Sequence, residues 1–220
     1  MYILSLLAWL VGDLMAFYPN EFESLSEICP SILIEASYAT KKNFTGEVVH
    51  GYKTRKVLLS KNAAVALCKV QEKAISRGYS LKVFDGYRPV KAVSFFQSWA
   101  KLPENNLELK QMYYPSYTRE ELFQNGYISN RSSHSRGSAV DLTLVSISNL
   151  NDLDMGSSFD YFNDISHTEN SKIKKYQLEN RLILKDLMEQ FGFKNYTKEW
   201  WHYSFLNESF PDNYFDFDIE

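Results

Sequence analysis

The sequence predicts an α+β fold in which helices pack against a mainly antiparallel central sheet. Two observations give the elements: a periodic helical stretch at 62–77 runs directly into an alternating apolar stretch ending at Asp85-Gly86, and a Ser-rich loop feeds a second strand-like run from Ser138. A third gives the class, because strands and helices are mixed without a regular βαβ rhythm. The 220 residues suit one domain, and no repeat, low-complexity tract or composition break divides residues 19–220.

Residues 1–18 stand apart. Ile3–Val11 is apolar apart from Ser5, too short to span a bilayer, and preceded by no Lys or Arg. Two readings stay open: a helix packed on the body, or an export signal removed near Ala16–Phe17. The second places the mature protein in the periplasm or outside the cell, the first in the cytoplasm; neither requires stable membrane insertion.

The segment SILIEASYATKKNFTG reads as a short strand dissolving into an extended loop. From Asn62 to Arg77, Ala63, Val65, Ala66, Leu67, Val70 and Ala74 recur at helical spacing, with Ser60 as N-cap and Gly78 past the C-terminus. YSLKVFDGYRP is a strand ending near Phe84 that turns through Asp85 and Gly86, leaving Arg88 just beyond the strand end. Helices follow at Val90–Ala100 and at Thr118–Gln124, where Thr118 and Glu121 form a capping box. The intervening 101–117 carries two prolines and little periodicity. After the strand from Ser138 through Leu144, residues 149–170 are acidic and irregular, and Ile173–Gln190 is an amphipathic helix closed by Gly192. KEWWHYSF reads as a last strand, followed by an aromatic, acidic tail.

Composition excludes several functions. Twenty-four Lys and Arg against 27 Asp and Glu leave a net charge of −3, and no basic block could track a nucleic-acid backbone. Cys29 and Cys68 are too few and too far apart for a zinc finger or a disulfide framework; they form one bridge or remain buried thiols. Thirty-four aromatic rings contrast with four histidines, so any imidazole site has few members.

Two histidines lie at strand ends beside acids. His134 opens the pattern His-x6-Asp with Asp141, and His202 lies three residues after Glu199. Two imidazoles and one carboxylate suit catalytic zinc because they leave a fourth position for water. Each signal alone is weak, since an isolated histidine is more often a hydrogen-bonded structural residue. In a strand Glu199 and His202 would face opposite ways, so a bulge or a leading turn must bring both to one site. Glu199 would then be a general base. Arg88, fixed by Pro89 and the Asp85-Gly86 turn, either faces a developing oxyanion or is a surface arginine paired with Asp85. His167, in the acidic loop, is a candidate cavity residue, whereas His50 reads as structural. Asp152, Asp154 and Gly156 miss the EF-hand register. No G-x-S-x-G elbow supports a serine hydrolase.

Ser132-Ser133-His134-Ser135-Arg136-Gly137-Ser138-Ala139-Val140-Asp141, with Asp85-Gly86-Tyr87-Arg88-Pro89 and Glu199-Trp200-Trp201-His202-Tyr203, resembles the zinc D-alanyl-D-alanine dipeptidases of the VanX type. These belong among the D,D-carboxypeptidases and related peptidoglycan peptidases, and the resemblance runs from about Ser31 to Phe205. It implies a zinc D,D-peptidase, hedgehog-like fold and one zinc per chain on His134, Asp141 and His202. It implies Glu199 as base and Arg88 as transition-state stabiliser. By the same resemblance Ser132 meets the substrate carboxylate, Asp160 the amine, and Tyr38 closes over that amine. The acidic loop then becomes a wall that restricts substrates to dipeptides. The implied reaction is hydrolysis of D-Ala-D-Ala to two D-alanines. Alternatives are a carboxypeptidase acting on longer stem peptides and a zinc-binding module without hydrolysis. Nothing in the chain indicates its oligomeric state.

Overall fold

The computed structural model describes residues 19–220; both readings of the apolar segment 1–18 lie outside them. The chain opens with β1 (Phe22–Ser24), α1 (Leu25–Ile28) and β2 (Leu33–Ile34), and a long loop leads to β3 (Leu58–Ser60) and α2 (Lys61–Ser76). β4 (Tyr79–Asp85) is followed by three helices, α3 (Val90–Ala100), α4 (Leu107–Tyr113) and α5 (Arg119–Gln124). Then come β5 (Ala139–Ser146), α6 (Lys175–Glu189), β6 (Phe193–Asn195) and β7 (His202–Phe205).

Five strands form the central sheet in the order β2-β4-β5-β7-β6. Only the edge pair β2–β4 is parallel; the other three pairings are antiparallel. β1 and β3 make a separate antiparallel ribbon. α2 packs on β4 and on α6, which lies against β5 and β6. Along β5, Val140, Leu142 and Leu144 are fully buried in the core, and each such leucine contributes roughly 1.5–3 kcal/mol. The alternate residues Asp141 and Thr143 therefore face the other side of the sheet.

The capping box of α5 forms as the sequence predicts, with Thr118 Oγ1 accepting from the Glu121 amide and the Glu121 side chain accepting from the Thr118 amide. Ser60 does precede α2, yet it makes no side-chain cap; its hydroxyl lies 3.4 Å from that of Ser138. Two expectations need correction. The 101–117 segment contains α4, a helix with no buried residue and hence no apolar period to read. KEWWHYSF is a strand only from His202; residues 200–201 are a turn ahead of it. Cys29 and Cys68 are both free thiols. Among the described residues no helix is long and apolar enough to cross a membrane.

Candidate active site

Sheet register places the acids. A bulge between Val83 and Asp85 brings Asp85 opposite Asp141, and Asp141 is in turn the direct partner of His202. Asp85, Asp141 and His202 thus form one row across three adjacent strands. His134 reaches this row from a 3-10 turn, Ser133–Arg136, closed by Gly137 in the left-handed conformation at φ 73°. A Cβ on Gly137 would lie 2.4 Å from the Phe22 ring, so both backbone sign and space call for glycine there.

His134 Nε2, His202 Nδ1 and an Asp141 oxygen lie within 4.8 Å of one another. The two nitrogens are 3.1 Å apart, His134 Nε2 is 3.3 Å from Asp141 Oδ2, and His202 Nδ1 is 2.9 Å from Asp141 Oδ1. Tetrahedral zinc with bonds of about 2.0–2.1 Å spaces its ligands roughly 3.3–3.4 Å apart, so the trio has nearly the right size. The far nitrogen of His134, Nδ1, is 2.7 Å from the Gly86 carbonyl. Donating there leaves Nε2 with its lone pair turned to the centre. Burial would raise the Asp141 carboxyl, but the two imidazoles outweigh it and hold it well below the usual carboxylate range. Burial lowers the His202 imidazole, with the Asp141 bond opposing. One carboxylate and a neutral imidazole are the protonation states that a metal requires, and the donor set fits zinc.

Arg88 does pair with Asp85, but it is not a surface arginine. Its Nε donates to Asp85 Oδ2 at 2.9 Å, yet the side chain is only 13% exposed, and its Nη2 lies 2.8 Å from the same Asp85 oxygen and donates to Asp141 Oδ2 at 3.3 Å. The guanidinium also lies 5.0 Å from the Tyr38 ring centre. Tyr52 completes this cluster by donating to Asp85 Oδ1 at 2.7 Å. Burial pushes the Asp85 carboxyl up while Arg88 and His134 oppose it.

All eight site residues expected from the sequence line one cavity of about 740 Å³. Tyr38, buried at 2% exposure, donates its hydroxyl to Asp160 Oδ2 at 2.9 Å. Ser132 accepts from the His134 amide, capping the ligand turn. Glu199 lies in the segment ahead of β7, which spares it the opposite-face problem of a strand. Burial raises its carboxyl well above the ordinary value, and the charges of Asp141 and Asp160 push the same way. Burial and Asp141 also raise Asp160, against the Tyr38 bond.

His167 is a correction: it does not line the cavity but sits 3.4 Å from the Tyr127 hydroxyl and 3.6 Å from Asp164. His50 packs on Phe95 at 4.5 Å between ring centres. Sequence reasoning missed Tyr52, the Gly86 carbonyl, and the cavity wall made by Phe96, Tyr127, Phe162 and Tyr196. Trp200 donates its indole N–H to Ser157 Oγ at 2.9 Å and supports the acidic loop.

Comparison with known proteins shows extensive similarity. The family model Peptidase_M15, described as D-ala-D-ala dipeptidase, matches residues 19–220. The chain is 43% identical over 199 residues to a D-alanyl-D-alanine dipeptidase of Enterococcus faecium, covering 90% of this chain and 98% of that protein. It is 39% identical over 200 residues to a D-alanyl-D-alanine dipeptidase of Streptomyces coelicolor, covering 91% and 98%. Among solved structures, VanYB in complex with D-alanine-D-alanine aligns with a TM-score of 0.42 at 15% identity, over 71% of this chain and 76% of that one.

Proposed function

Because the chain belongs to the Peptidase_M15 family of D-Ala-D-Ala dipeptidases, we propose that it hydrolyses the free dipeptide D-Ala-D-Ala to two molecules of D-alanine. The observation that carries this reading is the opening of three metal donors, a buried acid and an arginine onto one cavity that also holds a second buried acid.

His134, Asp141 and His202 would hold zinc. When bound there, the ion polarises the scissile carbonyl and makes water more acidic. Glu199 accepts a proton from the attacking water and delivers it to the departing amine nitrogen as the C–N bond breaks. A carboxyl raised by burial is better matched to both transfers at neutral pH than an ordinary glutamate. Arg88, locked by Asp85, offers its guanidinium to the negative charge that develops on the carbonyl oxygen. Asp160, steadied by Tyr38, pairs with the substrate ammonium. Ser132, next to the ligand turn, meets the substrate carboxylate.

Assay of D-Ala-D-Ala beside a pentapeptide ending in the same two residues tests the reading. Turnover of the dipeptide is expected, and cleavage of the pentapeptide alone would overturn it in favour of a carboxypeptidase. Glu199→Ala should abolish turnover while zinc content stays near one per chain; surviving hydrolysis would remove Glu199 from the mechanism.

A further inference from the structure

Arg181 on α6 is a fully buried cation whose partners are not carboxylates. Its Nε donates to the Met155 carbonyl at 2.6 Å. One terminal nitrogen donates to the carbonyls of Ile165 at 3.0 Å and His167 at 2.7 Å, and the other to Ser157 Oγ at 3.4 Å. Burying a charge is costly unless its hydrogen bonds are satisfied, and here one loop supplies every acceptor named. The guanidinium's planar fork suits the task, because donors diverging from a rigid plane can join two chain segments at once.

The loop so tied is 155–167, with Met155 and Ser157 at one end and Ile165 and His167 at the other. Ser157 reinforces the closure, since its hydroxyl also lies 2.8 Å from that of Ser166 and accepts from the Trp200 indole. Asp160 lies between the two tied ends and has φ 57°, a left-handed backbone that a non-glycine residue adopts only when its surroundings enforce it. Asp160 and Phe162 line the substrate cavity, whereas Arg181 does not. Phe162 is further fixed by its amide, which donates to the Tyr113 carbonyl at 2.6 Å.

We propose that Arg181 is a positioning residue for substrate length: by tying both ends of the 155–167 loop, it sets how far Asp160 and Phe162 project into the cavity. The inference rests on Asp160 receiving the substrate ammonium, as proposed above. A dipeptide then ends against the loop, and an acylated amine brings both a steric clash and an unpaired buried acid.

Arg181→Lys keeps the charge but replaces the fork by a single ammonium. The expected result is a rise of about tenfold in KM for D-Ala-D-Ala, with kcat within about threefold, because Glu199, Arg88 and the metal donors lie on other elements. The preference for D-Ala-D-Ala over N-acetyl-D-Ala-D-Ala, as a ratio of kcat/KM, should fall about fivefold or more. Amide hydrogen exchange should quicken across 155–167 and stay unchanged in β4 and β5. Unaltered KM and preference, or a loss confined to kcat, would overturn the proposal. Should the lysine variant fail to fold, Ser157→Ala carries the same test, with KM expected to rise about threefold and an unchanged KM counting against it. Wild-type turnover of D-Ala-D-Ala is the control for the functional reading. If that fails, the exchange experiment still decides whether Arg181 orders the loop, and unchanged exchange would overturn the tie itself.

Discussion

Asp141 and His202 face each other across the β5–β7 ladder, with Asp141 Oδ1 2.9 Å from His202 Nδ1. Two of the three proposed metal donors are therefore fixed by backbone pairing, and the third by a turn whose amide Ser132 caps. A site prepared in this way should lose its metal without losing its fold. Treatment with a chelator is expected to abolish turnover, leave far-ultraviolet circular dichroism intact, and be reversed by zinc. Because a ligand that binds only the folded state stabilises it, added zinc should raise the melting temperature of the stripped protein. Asp141→Asn removes the one anionic donor and should bring zinc content well below one per chain.

The Tyr38–Asp160 hydrogen bond joins two residues of the cavity lining. Tyr38→Phe removes the only hydroxyl of that side chain and leaves its ring, so the effect should be confined to how Asp160 is held. KM for D-Ala-D-Ala is expected to rise about tenfold, in line with the roughly 1.5–3 kcal/mol of a hydrogen bond to a charged group. Asp160→Asn also deletes the charge proposed to meet the ammonium, and should raise KM further, with a smaller change in kcat. Steady-state kinetics of the two variants decide it; a fall in kcat alone would place Asp160 outside substrate binding.

What the sequence reveals divides along physical lines. α2 and α5 are readable because local signals define them, a helical apolar period in one and a capping box in the other. The three-residue strands β1, β3 and β6 are too short to show an alternation, and α4 buries nothing. Among the site residues, the spacing of His134, Asp141 and His202 suggests a metal set before any contact is known. Their convergence depends on register, and the bulge that aligns Asp85 with Asp141 leaves no trace in local sequence. Tyr52, 33 positions from Asp85, and Arg181, 26 from Met155, act through long-range contacts that no periodicity encodes.

Gly86, in the arginine turn, packs against the chain entering β3. A Cβ there would meet the Leu58 carbonyl oxygen and Val57 Cγ1, each at 2.6 Å. Neither can give way cheaply, since Leu58 also accepts the Tyr87 amide at 2.7 Å. Gly86→Ala should cost about 1–3 kcal/mol through overpacking. It should also weaken zinc binding, because the displaced Gly86 carbonyl is the partner of His134 Nδ1. Denaturant unfolding and a zinc titration on the same sample check both effects. Wild-type zinc affinity in a destabilised variant would separate the turn from the metal site.

The C-terminal tail clamps that same turn from outside. Tyr87 donates its hydroxyl to the Phe217 carbonyl at 3.0 Å and stacks on its ring at 4.1 Å, and Asp218 pairs with Lys53 at 2.5 Å and Lys91 at 2.6 Å. The bonds from Lys53 and Lys91 hold the Asp218 carboxyl below the usual carboxylate range. With its folded value depressed, this group binds fewer protons in the folded than in the unfolded chain at mildly acidic pH. Its contribution is thus fully present above the unfolded value of about 3.9 and is lost as pH falls through the lower folded value. Lys53 is 57% exposed, so solvent screening keeps the pair's contribution small. Asp218→Asn should therefore lower stability slightly at pH 7 and converge on the wild type below pH 4, with kcat unchanged. Urea unfolding from pH 3 to pH 7 measures this, and a constant gap between the two proteins across that range would assign the tail's hold to Phe217 packing and not to the ion pairs.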